Sequence, residues 1–207
     1  MKEYVDKLKY EKQLISEGYR LIAGVDEVGR GPLAGPVVCA CVIMPQDEII
    51  DGVDDSKKLS KKKREVLYDK IIEKAISYSI CRVEPSEIDQ INILNATKKC
   101  MVECIKTLSI KPDIVLVDAV KLDVDVKTLP IIKGDYLSYT IGSASILAKV
   151  YRDRLMEEYA KTYQGYGFEK NSGYGTKQHI DKIKEIGPCP IHRKTFIKNF
   201  TESVEKI

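Results

Sequence analysis

The chain has 207 residues, 43% of them hydrophobic and 31% charged, which suits one large domain or one domain with an appendage. No run approaches the ~18 apolar residues of a membrane span, and the opening MKEYVDKLKYEKQ is too polar for a signal peptide, so a cytoplasmic protein without membrane contact is expected. Net charge is +3, unevenly spread: residues 161–207 carry nine Lys/Arg against five Asp/Glu, and Lys57 to Arg64 holds six cations in eight positions. Such runs are most simply solvated faces, but two basic regions beside an acidic centre also suit a phosphate backbone.

In chain order, residues 2–17 read as a helix with Val5, Leu8, Leu14 and Ile15 on one stripe, stopped at Gly18. Strands follow at about 19–26 and 36–44. The Gly29-Arg30-Gly31-Pro32 bend between them makes them antiparallel neighbours, and the unbroken apolar run before Asp26 marks the first as buried. A polar link leads to a helix at about 60–75, N-capped by Ser60. The β-branched and aromatic run at 77–84 reads as an edge or near-edge strand. Pro85-Ser86 reads as a short turn before a helix from Asn92 to Leu108. A buried strand, Ile114 to Val117, ends in Asp118, and a short strand, Leu129 to Ile132, precedes Lys133-Gly134-Asp135. A long helix then runs from Ser138 to Tyr159, apolar in its first half and charged in its second. The order predicts a mixed sheet in an α/β domain.

Six cysteines lack metal-knuckle spacing. Cys39 and Cys41 share a strand face, Cys100 and Cys104 lie four apart on a helix, and no His is close in sequence, so core packing in a reducing compartment is expected. Gly29, Gly31 and Gly35 invite comparison with a dinucleotide loop, but the spacing is wrong, adjacent carboxylates would repel a pyrophosphate, and no helical pattern follows.

The informative residues are acids at the ends of separate elements: Asp26 and Glu27, Asp118, and Asp135. Each has a plain reading. Asp26 and Glu27 could be solvated strand-end charges, Asp118 a turn residue, and Asp135 a charge at a helix N-terminus. Strand ends also cluster in a crevice of a sheet, and oxygen ligands without His or Cys suit hard cations such as Mg²⁺ or Mn²⁺.

The motifs themselves decide between these readings. DEVGRGPLAGPVV from Asp26, DDSKKLS (54–60), INILNAT (91–97), VLVDAV (115–120), KGD (133–135), ASILAKVYRDRLM (144–156), SGYGT (172–176) and GPCPIHRKTF (187–196) closely resemble the bacterial ribonuclease HII family, in the family's order and over nearly the whole chain. The resemblance implies a ribonuclease H-like fold. This is a five-stranded mixed sheet flanked by helices (residues 1–164), with a helical C-terminal portion (165–207) that closes the substrate groove through helices near 177–186 and after Pro190. It implies that Asp26, Glu27, Asp118 and Asp135 are the catalytic, metal-binding set for two divalent ions. It further implies an endonuclease that hydrolyses the RNA strand of RNA–DNA hybrids and cuts 5′ of a ribonucleotide embedded in duplex DNA, leaving a 3′-hydroxyl and a 5′-phosphate.

In the family the backbone of Gly29, Arg30 and Gly31 and the ring of Tyr174 sense the ribonucleotide; without the family, Tyr174 is a turn aromatic between glycines. By the same analogy Lys57, Lys58, Asn92, Asn95, Ser143, Ser145, Lys149, Thr176 and Arg193 are expected at phosphates. Asp153 is expected to be a structural ion-pair partner, and His179 and His192 surface or capping residues. Departures are small: Cys39 and Cys41 where alanine is common, Cys189 within GPCP, and Thr195 for a serine. The sister family, ribonuclease HIII, has an extra N-terminal domain and a different residue between the loop glycines; 25 residues before Asp26, and Arg30 itself, favour HII. A monomer is expected, and 201–207 shows no clamp-binding peptide with paired aromatics. The rivals are a non-catalytic hybrid-binding module, which should have lost a metal carboxylate, and a junction resolvase, which has no need of the Gly-Arg-Gly/Tyr pair.

Overall fold

A computed structural model describes residues 6–201. In chain order it holds α1 (Lys9–Ser16), β1 (Ile22–Val28), β2 (Val37–Ile43), a 3-10 turn (Ser56–Lys58), α2 (Lys61–Lys74), β3 (Ser77–Val83), α3 (Pro85–Lys106), β4 (Ile114–Asp118), β5 (Lys127–Ile131), α4 (Gly134–Leu137), α5 (Tyr139–Thr162), α6 (Phe168–Asn171), α7 (Lys177–Ile186) and α8 (Lys194–Thr201). The start of the helix expected at 2–17, and all but the first residue of the stretch 201–207, lie outside the described residues. No helix among the described residues is long and apolar enough to cross a membrane.

The sheet is five-stranded and mixed, ordered β3-β2-β1-β4-β5. β1 is antiparallel to β2 and parallel to β4; β2 is antiparallel to β3, and β4 parallel to β5. The unbroken apolar character of β1 and β2 follows from covering on both faces. On one side Val25, Cys39, Cys41, Val115 and Val117 pack with Cys100, Met101 and Cys104 of α3. On the other, Val38, Ala40 and Val42 pack with Ala144, Leu147 and Val150 of α5 and Leu67 and Ile71 of α2. Four of the cysteines are thus buried thiols, while Cys81 and Cys189 are only partly covered. β3 is an edge strand as expected, and β5 is the other edge, where Pro130 can sit without costing a ladder bond.

Helix α5 lies against the middle of β1. A Cβ on Gly24 would come 2.5 Å from the Thr140 carbonyl carbon, so only glycine admits this approach. Its first turn is capped by Ser138, whose Oγ accepts from the Ile141 N–H and donates to the buried Glu11 carboxylate at 2.6 Å. Glu11 also accepts from the Thr140 N–H, tying α1 to the start of α5. Ser60 caps α2 as expected.

Three expectations are corrected. β1 runs on to Val28, so Asp26 and Glu27 lie inside the strand opposite Ala40 and Cys39 rather than beyond its end. Pro85-Ser86 opens a helix, because proline at the first helical position loses no bond. That helix is broken at Asn92, which has φ 65° and whose Oδ1 accepts from the Leu94 and Asn95 N–H groups; apolar periodicity starting at Asn92 showed only its second half. His179 and His192, expected at the surface, are buried with Tyr166 and Phe168 in a C-terminal core. That core also takes Ala34, Met156, Ile183 and Ile197, so helices α6 to α8 pack onto the end of α5 and the loop after β1.

Candidate active site

Strand pairing sets the acids' positions. β1 and β4 pair in parallel up to Val25 opposite Val117, so the next residues, Asp26 and Asp118, sit side by side at the open end of that pairing. Alternation along β1 turns Glu27 to the opposite face from Asp26. Yet Asp26, Glu27 and Asp118 each offer an oxygen within 4.8 Å of the others. Glu27 can reach round because β4 stops at Asp118 while β1 continues, leaving a gap in the sheet.

Each carboxylate is oriented by the chain around it. Asp26 accepts from the Glu27 N–H at 2.7 Å, and Asp118 from the Gly134 N–H at 2.7 Å. Gly134 is there because space is short: a Cβ would meet Ile141 Cδ1 at 2.5 Å and Asp118 Oδ1 at 3.2 Å. Asp135, on the next residue of α4, is buried but not within the 4.8 Å group; it stands beside it and meets Lys57 Nζ at 3.6 Å.

Concentrated negative charge in a half-dry site disfavours ionisation. Burial, then the charges of Glu27, Asp118 and Asp135, push Asp26 well above the usual carboxylate range. Burial pushes Glu27 up to about 7 against the pull of Arg30, 3.5 Å away. Burial raises Asp118 too, opposed by the Gly134 N–H. Glu27 Oε2 is buried with no hydrogen-bond partner among the described residues. An orphaned carboxylate oxygen inside an all-oxygen donor set fits a hard divalent cation.

Next to the acids, residues 29–36 form a loop held from below by two buried arginines. Arg152 of α5 donates to the carbonyls of Pro36 (3.0 Å), Ala34 (3.1 Å) and Ser172 (2.9 Å). Arg193 donates to those of Gly29 (2.6 Å), Arg30 (2.9 Å) and Gly35 (2.8 and 3.0 Å). Neither pairs with a carboxylate among the described residues, and burial draws Arg152 down to about 10 and Arg193 to about 9. Above the loop, the half-exposed ring of Tyr174 lies 3.7 Å from where a Cβ on Gly31 would stand. Tyr174 is steadied by a relay. The Cys189 N–H donates to His192 Nδ1 at 2.9 Å, so His192 carries its proton on Nε2 and donates to His179 Nε2 at 3.0 Å. His179 Nδ1–H in turn donates to the Tyr174 carbonyl at 2.9 Å.

The remaining expected phosphate contacts divide. Lys57, Lys58, Asn92, Asn95 and Thr176 are exposed, with Lys58 over the Tyr136 ring and Thr176 capping α7. Ser143, Ser145 and Arg193 are corrections. Ser143 is buried and donates to the Tyr139 carbonyl, Ser145 is buried against Ser56, and Arg193 is committed to the loop carbonyls, so none is free to meet a phosphate. Lys149 pairs with Asp153 at 2.7 Å, and Asp153 also with Arg64, which matches the structural ion pair expected of Asp153. Reasoning from sequence missed Arg152 and the histidine pair. The signal for Arg152 was its four-residue spacing from Ala148 and Met156 on the apolar stripe of α5.

The chain matches the family model described as Ribonuclease HII over residues 23–199. It is 56% identical over 196 residues to the Ribonuclease HII of Ruminiclostridium cellulolyticum, covering 94% of this chain and 77% of that protein. Its fold is similar to the crystal structure of ribonuclease H2 from Pyrococcus horikoshii OT3, with TM-score 0.77 and 30% identity over 91% of this chain and 100% of that one. It is similar also to the RNase HII of the PCNA:RNase HII complex from Archaeoglobus fulgidus, with TM-score 0.75 and 27% identity over 87% of this chain and 96% of that one. With its ribonuclease H-like sheet, its cluster of acids and this breadth of match, the chain belongs to the ribonuclease HII family and is a type 2 ribonuclease H.

Proposed function

We propose that this enzyme is an endonuclease that hydrolyses the RNA strand of RNA–DNA hybrids. In duplex DNA it cuts on the 5′ side of an embedded ribonucleotide, leaving a 3′-hydroxyl and a 5′-phosphate. The observation that carries the reading is the convergence of Asp26, Glu27 and Asp118 within 4.8 Å, beside a loop whose exposed Gly31 lies next to the half-exposed ring of Tyr174. Family membership supplies the reaction class.

Asp26, Glu27 and Asp118 would hold divalent ions, Mg²⁺ or Mn²⁺ and two per site, with Asp135 completing the set. When bound, such ions activate a water and stabilise the leaving oxygen of a phosphodiester. The protein's own part is orientation and selection. The Gly134 N–H fixes Asp118, and Lys57 balances Asp135 until substrate and cation arrive. The exposed backbone of Gly31, with no side chain, and the ring of Tyr174 beside it would together form a slot for one sugar, where a 2′-hydroxyl is what separates RNA from DNA. Lys57, Lys58, Asn92, Asn95 and Thr176 supply exposed polar groups for flanking phosphates. The C-terminal portion, residues 165–207, brings Tyr174 to the sheet-bearing residues 1–164 and so completes the groove.

The test is cleavage of a DNA duplex carrying one ribonucleotide, in Mg²⁺ and in Mn²⁺, with wild type beside Asp135→Asn. A cut 5′ of the ribonucleotide, reduced about a hundredfold or more in the variant while hybrid binding persists, is expected. No cut by folded wild type in either metal would favour a hybrid-binding module instead. A variant as fast as wild type would return Asp135 to a helix-end charge.

A further inference from the structure

The glycines of the loop after β1 do not all serve the same purpose. Gly31 is exposed, and the space over it is open except for the edge of Tyr174. Gly29 is buried with φ +90°, and a Cβ there would stand 2.3 Å from Arg152 Nε. Gly35 has φ +84°, and a Cβ would meet Met156 Sδ at 2.5 Å and Arg152 Nη2 at 3.2 Å. Gly173, before Tyr174, has φ +82°, and its Cβ would lie 2.4 Å from the Ala34 carbonyl oxygen. Gly29 and Gly35 make room for the side chains beneath the loop, Gly173 for the close approach of the loop to the Tyr174 turn, and only Gly31 opens onto the ligand side.

That support is unusual in composition. Two buried guanidinium groups receive no carboxylate among the described residues, and spend seven hydrogen bonds on six main-chain carbonyls. A planar fork can serve several fixed acceptors at once, which an ammonium cannot. The bonds also cross between elements. Arg152 joins Pro36 and Ala34 to Ser172, the Leu33 N–H donates to the Gly173 carbonyl at 2.8 Å, and the Arg193 N–H donates to Leu33 at 2.8 Å. The loop and the Tyr174 turn are therefore one body, attached through Arg152 to α5, whose N-terminal half packs on β1 beside the acids.

We propose that Arg152 and Arg193 are positioning residues that set the register between the Gly31–Tyr174 sugar slot and the carboxylate cluster, and so determine specificity for an isolated ribonucleotide. The proposal rests on the reading of that slot as the ribose sensor. Neither arginine touches substrate. A duplex with one ribonucleotide offers one 2′-hydroxyl, which must meet the slot when its phosphate meets the acids. A continuous hybrid offers a 2′-hydroxyl at every residue of one strand, so a displaced slot still finds one.

The experiment compares kcat and KM of wild type, Arg152→Lys and Arg193→Lys on a duplex with one ribonucleotide, on a continuous RNA–DNA hybrid and on plain duplex DNA. Mn²⁺ affinity is measured alongside by calorimetry. Expected is at least a tenfold fall in the ratio of kcat/KM for the single ribonucleotide to that for the hybrid, with Mn²⁺ affinity within twofold of wild type. This ratio does not depend on the fraction of molecules folded, so a purely structural role leaves it unchanged. A ratio within twofold of wild type in variants that cut the hybrid overturns the proposal. Should the lysine variants not fold, Gly35→Ala keeps both arginines but presses on Arg152, and the same fall or constancy of the ratio decides. If wild type cuts plain DNA as readily as either substrate, the ribose reading itself fails. If wild type discriminates and the variants do so equally, only the positioning role of the two arginines fails.

Discussion

At Glu27 and Asp26 the chain places two carboxyl groups where neither is comfortable as an anion. Without a cation, a group whose folded pKa is raised contributes stability in full below its unfolded value, and loses it as pH rises through the folded value. For Glu27 that window runs from 4.5 to about 7, and its width corresponds to a loss on the order of 3 kcal/mol. Asp26, raised by burial and by its acidic neighbours, acts in the same direction. A divalent ion binds the ionised forms and reverses the loss. Thermal melts with and without Mg²⁺ or Mn²⁺ should therefore show a larger stabilisation by the ion at pH 8 than at pH 5. Equal increments at both pH values would mean that these acids are not the ion's ligands. The same physics explains what the sequence could and could not reveal at this scale. A run of apolar residues ending in Asp26-Glu27 advertised costly acids, and the distances bear out that Asp118 joins them. Arg152 draws no reading, Arg193 is expected at a phosphate, and His179 and His192 are expected at the surface or at caps, because charged and polar side chains usually meet solvent. Six of the arginines' seven bonds reach carbonyls more than 100 positions away, and the histidines depend on each other's ring nitrogens, which no local pattern encodes.

Among elements, the contact of α5 with β1 controls most of the site's geometry. Helix α5 carries Arg152 and follows directly on α4, which carries Asp135, while β1 carries Asp26 and Glu27. The closeness depends on Gly24, where a Cβ would lie 2.5 to 2.7 Å from three backbone atoms of Thr140 and Ile141. Backbone cannot rotate away as a side chain can, so Gly24→Ala must push the helix off the sheet. We expect it to destabilise the protein by about 3 kcal/mol and to weaken Mn²⁺ binding, since Asp135 moves with the helix. Chemical denaturation and calorimetric titration of the purified variant check the two effects. A variant with wild-type stability would mean the helix settles elsewhere at no cost. Elements of this kind were legible where one run or one residue type decided them: the buried strands and the long helix came from apolar patterning, and the Ser60 cap from a serine just before a helical stretch. The half of α3 before Asn92 was not legible, because Pro85-Ser86 reads as a turn and the few residues between it and Asn92 are too short a run to show a helical period.

For the molecule as a whole, the open question is what keeps the C-terminal helices against the sheet-bearing part. Ala34 pairs with His192 as an isolated β-bridge, and Gly35 donates to the Ile191 carbonyl at 2.9 Å. The His192–His179 relay runs from Cys189 to the Tyr174 carbonyl through a core of Tyr166 and Phe168. The relay requires both imidazoles neutral, since a proton added to either puts hydrogens on both facing Nε2 atoms or removes an acceptor. Burial, and then the charge of its partner, hold His192 down to about 4, and burial lowers His179 as well. For a histidine whose folded pKa is depressed, stability is complete above the unfolded value near 6.5 and is lost as pH falls toward the folded value. By pH 5 the loss from His192 is on the order of 2 kcal/mol. This opposes the trend of the acid cluster, so the two are separated by a variant rather than by wild type alone. His192→Gln removes the titration while keeping an amide of similar reach. Between pH 7 and pH 5, at saturating Mg²⁺, wild type should lose several degrees of Tm more than His192→Gln does. Over the same range, proteolysis at pH 5 should nick wild type first around residues 172–192, ahead of the sheet. Equal pH dependence in the two proteins would show that the histidine pair is not what ties the C-terminal helices, and the Tyr174 turn they carry, to the sheet.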